Sequence, residues 1–97
     1  MNPFVYIATN NRKGTFYVGV TSNLPQRAAQ HRIGAFDGFS KRHSLTKLVW
    51  FEAHDTMETA ITREKQIKRW RRDWKIDLIE DNNPGWRDLY FDIAEPQ

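Results

Sequence analysis

The sequence predicts a mixed α/β (α+β) domain, a small three-stranded antiparallel sheet flanked by helices. Three observations point to it. Two short β-rich runs, Phe4-Val5-Tyr6-Ile7-Ala8 and Thr15-Phe16-Tyr17-Val18-Gly19-Val20, are separated by the polar segment Thr9 to Gly14, which carries turn residues. A third, uninterrupted apolar run is Lys47-Leu48-Val49-Trp50-Phe51-Glu52. Beyond it, Met57, Ala60, Ile61 and Ile67 recur at helical spacing. With 97 residues and no linker, repeat or low-complexity tract, the expectation is one domain spanning residues 1–97.

The first two runs read as an antiparallel hairpin. Alternation places Val5 and Ile7 on one face with Phe16, Val18 and Val20, and leaves Tyr6, Tyr17 and Gly19 for the other. Thr21-Ser22-Asn23 supplies capping side chains, and Pro25 sits in a first turn where its missing N–H costs nothing. A helix is therefore expected from about Leu24 to Arg32. Gly34 to Ser44 reads as a loop, and the apolar run that follows as the central strand of the sheet. From Thr56, a candidate N-cap, a long helix should reach Arg71 or beyond. A short one should run from about Lys75 to Glu80 and stop at the breaker Asn82-Asn83-Pro84-Gly85. Trp86, Leu89, Tyr90 and Phe91 then offer apolar anchors.

Composition narrows the function classes. A hydrophobic content of 39% supplies a core, so the chain is not a disordered tail. No apolar run approaches a membrane span, and Met1-Asn2-Pro3-Phe4 lacks the features of a signal peptide, so the expectation is a soluble, cytoplasmic protein with no membrane partner. The absence of cysteine excludes a disulfide, a thiolate zinc ligand and a cysteine nucleophile. The net charge of +3 is modest, but its distribution is polar. Thr62 to Lys75 holds seven basic and two acidic residues, whereas Ile76 to Gln97 holds one basic and six acidic.

Several side chains are candidates for chemistry. Glu64 falls on the apolar helix face among Met57, Ala60 and Ile61, where a carboxylate needs a basic partner, hydrogen bonds or a bound cation. An i,i+4 pair with Lys68 or a salt bridge to Arg27 would satisfy it structurally. Tyr6 and Tyr17 share one hairpin face, either as paired phenols suited to holding a water or phosphate oxygen or as cross-strand packing. Gly19 beside them permits close backbone approach. Arg27 and His31, four apart on one helix, form a phosphate-binding pair or an ordinary exposed surface. His43 follows Lys41 and Arg42 in the loop, as a proton shuttle or a loop residue, and His54 is a strand-end residue with no partner in view. The histidine spacing matches no dedicated zinc motif. Lys65, Lys68, Arg69, Arg71, Arg72 and Lys75, interleaved with Trp70 and Trp74, could bind nucleic acid or form a solvated face, with at least one tryptophan in the core.

Phe4-Val5-Tyr6 and Tyr17-Val18-Gly19 resemble the two signatures that name the GIY-YIG nuclease family, with Phe4, Val5 and Val18 replacing a glycine and two isoleucines. Val20 to Leu24, leading to Arg27 and His31, resembles the family's first helix, and Ala60 to Trp70 the helix that bears its metal-binding glutamate. Asn83-Pro84-Gly85-Trp86 resembles the family's C-terminal asparagine segment. The likeness covers residues 4 to 89 and is nearest to small single-domain bacterial members related to the nuclease domain of the excision-repair incision subunit. It implies a DNA endonuclease in which Tyr6, with Tyr17 beside it, orients or deprotonates water. Arg27 would stabilise charge on the phosphate, and Glu64 would hold Mg2+ or Mn2+. Asn83 would organise the site, His31 would contact phosphate or Tyr6, and His43 would occupy the family's loop position for tyrosine or histidine. Lys41, Arg42, Lys65, Lys68, Arg69, Arg71 and Arg72 are the expected nucleic-acid contacts. A binding module of the same fold with little catalysis is the alternative, and a purely structural or protein-interaction domain a third; a role in DNA repair is implied only by analogy.

Overall fold

The computed structural model describes residues 2–11, 14–33 and 46–93. Three strands, β1 (Phe4–Thr9), β2 (Phe16–Thr21) and β3 (Lys47–Ala53), form one antiparallel sheet in the order β2-β1-β3. Among the described residues four helices accompany it: α1 (Leu24–Arg32), α2 (Met57–Arg69), α3 (Arg72–Asn82) and the short α4 (Tyr90–Ile93). Among the described residues no helix is long and apolar enough to cross a membrane.

The sheet is covered on both sides. Val5, Ile7, Val18, Val49 and Trp50 face Ala60 and Ile67 of α2 and Ile79 of α3. On the opposite face Tyr6, Ala8 and Leu48 meet Leu24 and Ala28 of α1, with Leu89, Tyr90 and Ile93 closing the edge. Period-two alternation thus assigns the odd residues of β1 to one core and the even ones to the other.

The central strand is β1, not β3 as its continuous apolar run suggests. The run has a different cause. Ile7 pairs with Trp50 but Ala8 with Leu48, so Val49 is an extra residue in a bulge. Two consecutive side chains, Val49 and Trp50, therefore enter the same core, and the alternation that would mark a one-sided strand disappears.

Helix α1 has the predicted bounds, and the side chain of Asn23 accepts the Gln26 N–H at 3.2 Å. Thr56 likewise caps α2 by accepting from the Thr59 N–H. That helix ends at Arg69, because Trp70 and Arg71 adopt extended backbone before α3 starts, and Trp70 turns onto the core. The buried stripe of α2 is also narrower than its spacing implies. Ala60 and Ile67 are buried, while Met57 and Ile61 lie on the exposed flank.

Asn83 ends α3 and ties three backbone groups together. Its Nδ2 donates to the carbonyls of Val49 (3.1 Å) and Arg87 (2.9 Å), and its Oδ1 accepts the Arg87 N–H at 3.0 Å. The turn so closed holds Trp86 at φ 55°, an unusual conformation for a bulky residue, with its ring buried against Phe16 and its Nε1 donating to Glu80. Asn83→Leu, close in size but unable to make these bonds, is expected to cost about 2–4 kcal/mol. Urea unfolding measures it, and a change in midpoint without a change in slope is the expected form.

Candidate active site

The hairpin register places Tyr6 directly opposite Gly19, and Ala8 opposite Tyr17. With no side chain at 19, the Tyr6 ring lies across the β2 backbone. A Cβ there would stand 2.6 Å from the Tyr6 hydroxyl oxygen and 2.8 Å from Cε1 of Tyr17. Helix α1 packs over this face and brings His31, itself buried, so that its Nε2 is 2.9 Å from the Tyr6 hydroxyl. The rings of Tyr6, Tyr17 and His31 form a compact triangle with centroids 5.4–6.1 Å apart.

One turn earlier on α1 stands Arg27, whose positive charge acts on the Tyr6 hydroxyl. In the Tyr6–His31 contact the imidazole tautomer sets which group donates, and with the ring proton on Nδ1 the phenolic O–H donates to Nε2. Burial drives the Tyr6 pKa far above its ordinary value of 10.0; the neighbouring Tyr17 adds to the rise, Arg27 opposes it, and Glu64 raises it further. The Glu64 carboxylate of α2 is therefore close enough for its charge to act on the hydroxyl. Its side chain is 14% exposed, and Oε2 is 3.1 Å from the Lys68 ammonium.

The raised Tyr6 pKa has a consequence for stability. The folded chain holds the phenolic proton more tightly than the unfolded chain, whose tyrosine loses it near pH 10. The contribution is complete below that pH and is lost as pH rises towards the native value, at about 1.4 kcal/mol per pH unit. Denaturant titrations between about pH 9 and 11 should show a steeper decline for the wild type than for Tyr6→Phe.

Tyr6, Tyr17, Arg27, His31 and Glu64 thus share one locality. Asn83 does not join them as a contact, since its amide is spent on the backbone of β3 and of Arg87. His43, Lys41 and Arg42 lie outside the described residues. Of the basic stretch, Lys65 and Arg69 are exposed, Lys68 pairs with Glu64, Arg71 stacks on Trp74, and Arg72 covers the Phe16 ring at 4.3 Å.

His54, expected to lack a partner, sits in a network. Its Nε2 is 2.7 Å from Oε1 of Glu52, which also accepts from Arg63 Nε at 3.2 Å, while its Nδ1 faces the Thr59 hydroxyl at 3.1 Å. The spacing of Glu52, near the end of β3, and His54, just past it, is the only signal the sequence carries for it.

The family model of the GIY-YIG catalytic domain matches residues 2–77. The chain belongs to the GIY-YIG family. That span includes every residue of the Tyr6 cluster. A UPF0213 protein of Syntrophus aciditrophicus is 35% identical over 80 residues, covering 81% of this chain and 91% of the relative. A UPF0213 protein of Haloquadratum walsbyi is 31% identical, covering 80% and 86%. The solution NMR structure of a UPF0213 protein from Bacillus halodurans shares the GIY-YIG-type fold at a TM-score of 0.57 and 23% identity, covering 98% of this chain and all of that one.

Proposed function

We propose that this GIY-YIG domain is a divalent-metal-dependent endonuclease that hydrolyses phosphodiester bonds in DNA. The reading rests above all on the Tyr6 hydroxyl, hydrogen-bonded to His31 where the charges of Arg27 and Glu64 both reach it.

A neutral phenol whose pKa is raised by burial is a poor base alone. Its contact with His31 supplies the remedy. With the His31 ring proton on Nδ1, a water hydrogen-bonded to the Tyr6 oxygen gives up its proton to that oxygen as the phenolic proton passes to Nε2 of His31, so no free phenolate forms. Tyr17 walls the pair and fixes both ring planes. Arg27 offers a planar fork to the scissile phosphate and opposes the negative charge that builds there.

Glu64 fits a divalent cation. Its carboxylate is largely withdrawn from bulk water with its charge felt at the Tyr6 hydroxyl, and Lys68, which pairs with it, is half exposed. Among the described residues no cluster of three metal-ligating side chains exists, and Mg2+ needs none, since it binds through one or two carboxylates with water and substrate phosphate completing its shell. Bound there, the cation would polarise the phosphoryl oxygen and support the departing 3′-oxygen. Lys65 and Arg69 extend an exposed basic surface for the flanking phosphates, so binding should weaken as salt rises.

The test is nicking of plasmid, and cleavage of single-stranded, branched and nicked DNA, with Mg2+ or Mn2+. Cleavage abolished by chelation and by Glu64→Gln is the expected result. The Lys68–Glu64 pair favours a second reading, a nucleic-acid-binding module. Salt-sensitive binding that ignores chelation and Glu64→Gln, with no cleavage of any substrate, would establish that reading instead.

A further inference from the structure

Trp70 and Trp74 flank the elbow between α2 and α3, their rings edge to face with centroids 6.1 Å apart. With Asp77, Leu78 and Asp81 of α3 they line a groove of about 240 Å³. Trp70 and Leu78 rest on the core that contains Val5 and Ile7, so the groove lies across the sheet from Tyr6. Trp74 is 48% exposed, which leaves much of a large aromatic face uncovered.

Both tryptophans already receive guanidinium groups. Arg63 stands over the Trp70 ring at 5.2 Å and Arg71 over the Trp74 ring at 4.9 Å. Asp77 and Asp81, one helical turn apart, are exposed, and among the described residues neither has an ion-pair partner. Two carboxylates beside an aromatic corner attract a cation and repel a phosphate. A base stacked on Trp74 would bring its own backbone against Asp77 and Asp81, so the tryptophans are poorly placed as a nucleic-acid platform.

We propose that this groove docks a basic segment of a partner protein, with an arginine seated between the tryptophan rings and the two carboxylates. Charge complementarity selects the occupant. Because the groove and the Tyr6 cluster lie on opposite faces of the sheet, the partner would bind without covering the site assigned to the phosphodiester. The inference stands whether or not that site cleaves DNA.

Intrinsic tryptophan fluorescence reads the test on the full chain, titrated with a short blocked peptide alternating arginine and glycine. The expected result is saturable binding, weakened about tenfold by Trp74→Ala and by the double change Asp77→Asn and Asp81→Asn. A peptide with glutamate in place of arginine should not bind. The asparagine variants change exposed side chains, so thermal unfolding should show them folded, and isotope-labelled NMR shifts follow binding where Trp74 is absent. Failure of the arginine peptide to bind, or equal affinity for the asparagine variant, overturns the proposal. So does binding of an oligothymidylate that depends on Trp74 and displaces the peptide, which would give the groove to nucleic acid.

Discussion

Tyr6→Phe is expected to lower the rate of phosphodiester cleavage by about a hundredfold to ten-thousandfold, the range over which positioned proton transfer accelerates reactions. The change removes one oxygen atom and its hydrogen bond to His31. The ring, packed among Ala8, Leu24 and Ala28, stays. Folding should therefore survive, and loss of the buried hydroxyl should shift stability far less than it shifts activity. The control is His31→Ala. If protons leave the site through Nε2, this variant should fall nearly as far, and the Tyr6→Phe/His31→Ala double variant should be little worse than either single one, because the two act as a unit. Independent, additive losses would show that His31 acts apart from Tyr6 and is not its proton acceptor. Supercoiled plasmid with Mg2+ or Mn2+ provides the readout, with circular dichroism to confirm folding.

Gly19→Ala should cost about 1–3 kcal/mol of stability and about a hundredfold in cleavage. Alanine in place of glycine within a strand ordinarily stabilises by about 0.5–1 kcal/mol, so the expected sign is reversed. The reversal has a local cause. The added methyl group would meet the Tyr6 hydroxyl at 2.6 Å, its Cζ at 2.7 Å and Cε1 of Tyr17 at 2.8 Å. Neither ring is a flexible chain end, and Tyr6 is buried beneath α1, so relief requires the hydroxyl to move away from His31. Thermal unfolding and the nicking assay measure the two effects. A stable, active Gly19→Ala protein would mean that the Tyr6 ring is not confined against β2.

Much of this arrangement was legible in the chain. Asn23 and Pro25 set the start of α1, and alternation along Phe4 to Val20 separated the tyrosine face from the aliphatic one. What escaped depends on tertiary geometry. Nothing local marks the bulge at Val49, which turned an edge strand into an apparent central one. Trp70 and Arg71 break a helix without glycine or proline, because the Trp70 ring is drawn to the core. Within the candidate site, the shared face of Arg27 and His31 could be read from their spacing. That His31 reaches Tyr6, 25 residues away, could not be read, since it depends on how α1 docks. Asn83 shows a different limit: the resemblance assigned it an organising role, and its hydrogen bonds fasten backbone around β3 and Arg87.

The position of β1 carries a final consequence for how the molecule opens. Val5, Tyr6, Ile7 and Ala8 are at most 1% exposed, and β1 is bonded along both sides, to β2 and to β3. Amide hydrogens in such a strand exchange with solvent only when the whole domain unfolds, so their protection should equal the global free energy. Tyr6 therefore belongs to the most slowly exchanging segment, whereas sites on loops usually occupy the most labile. Partial fraying of α4 or of the outer strands would leave the phenol in place. Tyr6 itself would be released in the same cooperative step as the fold.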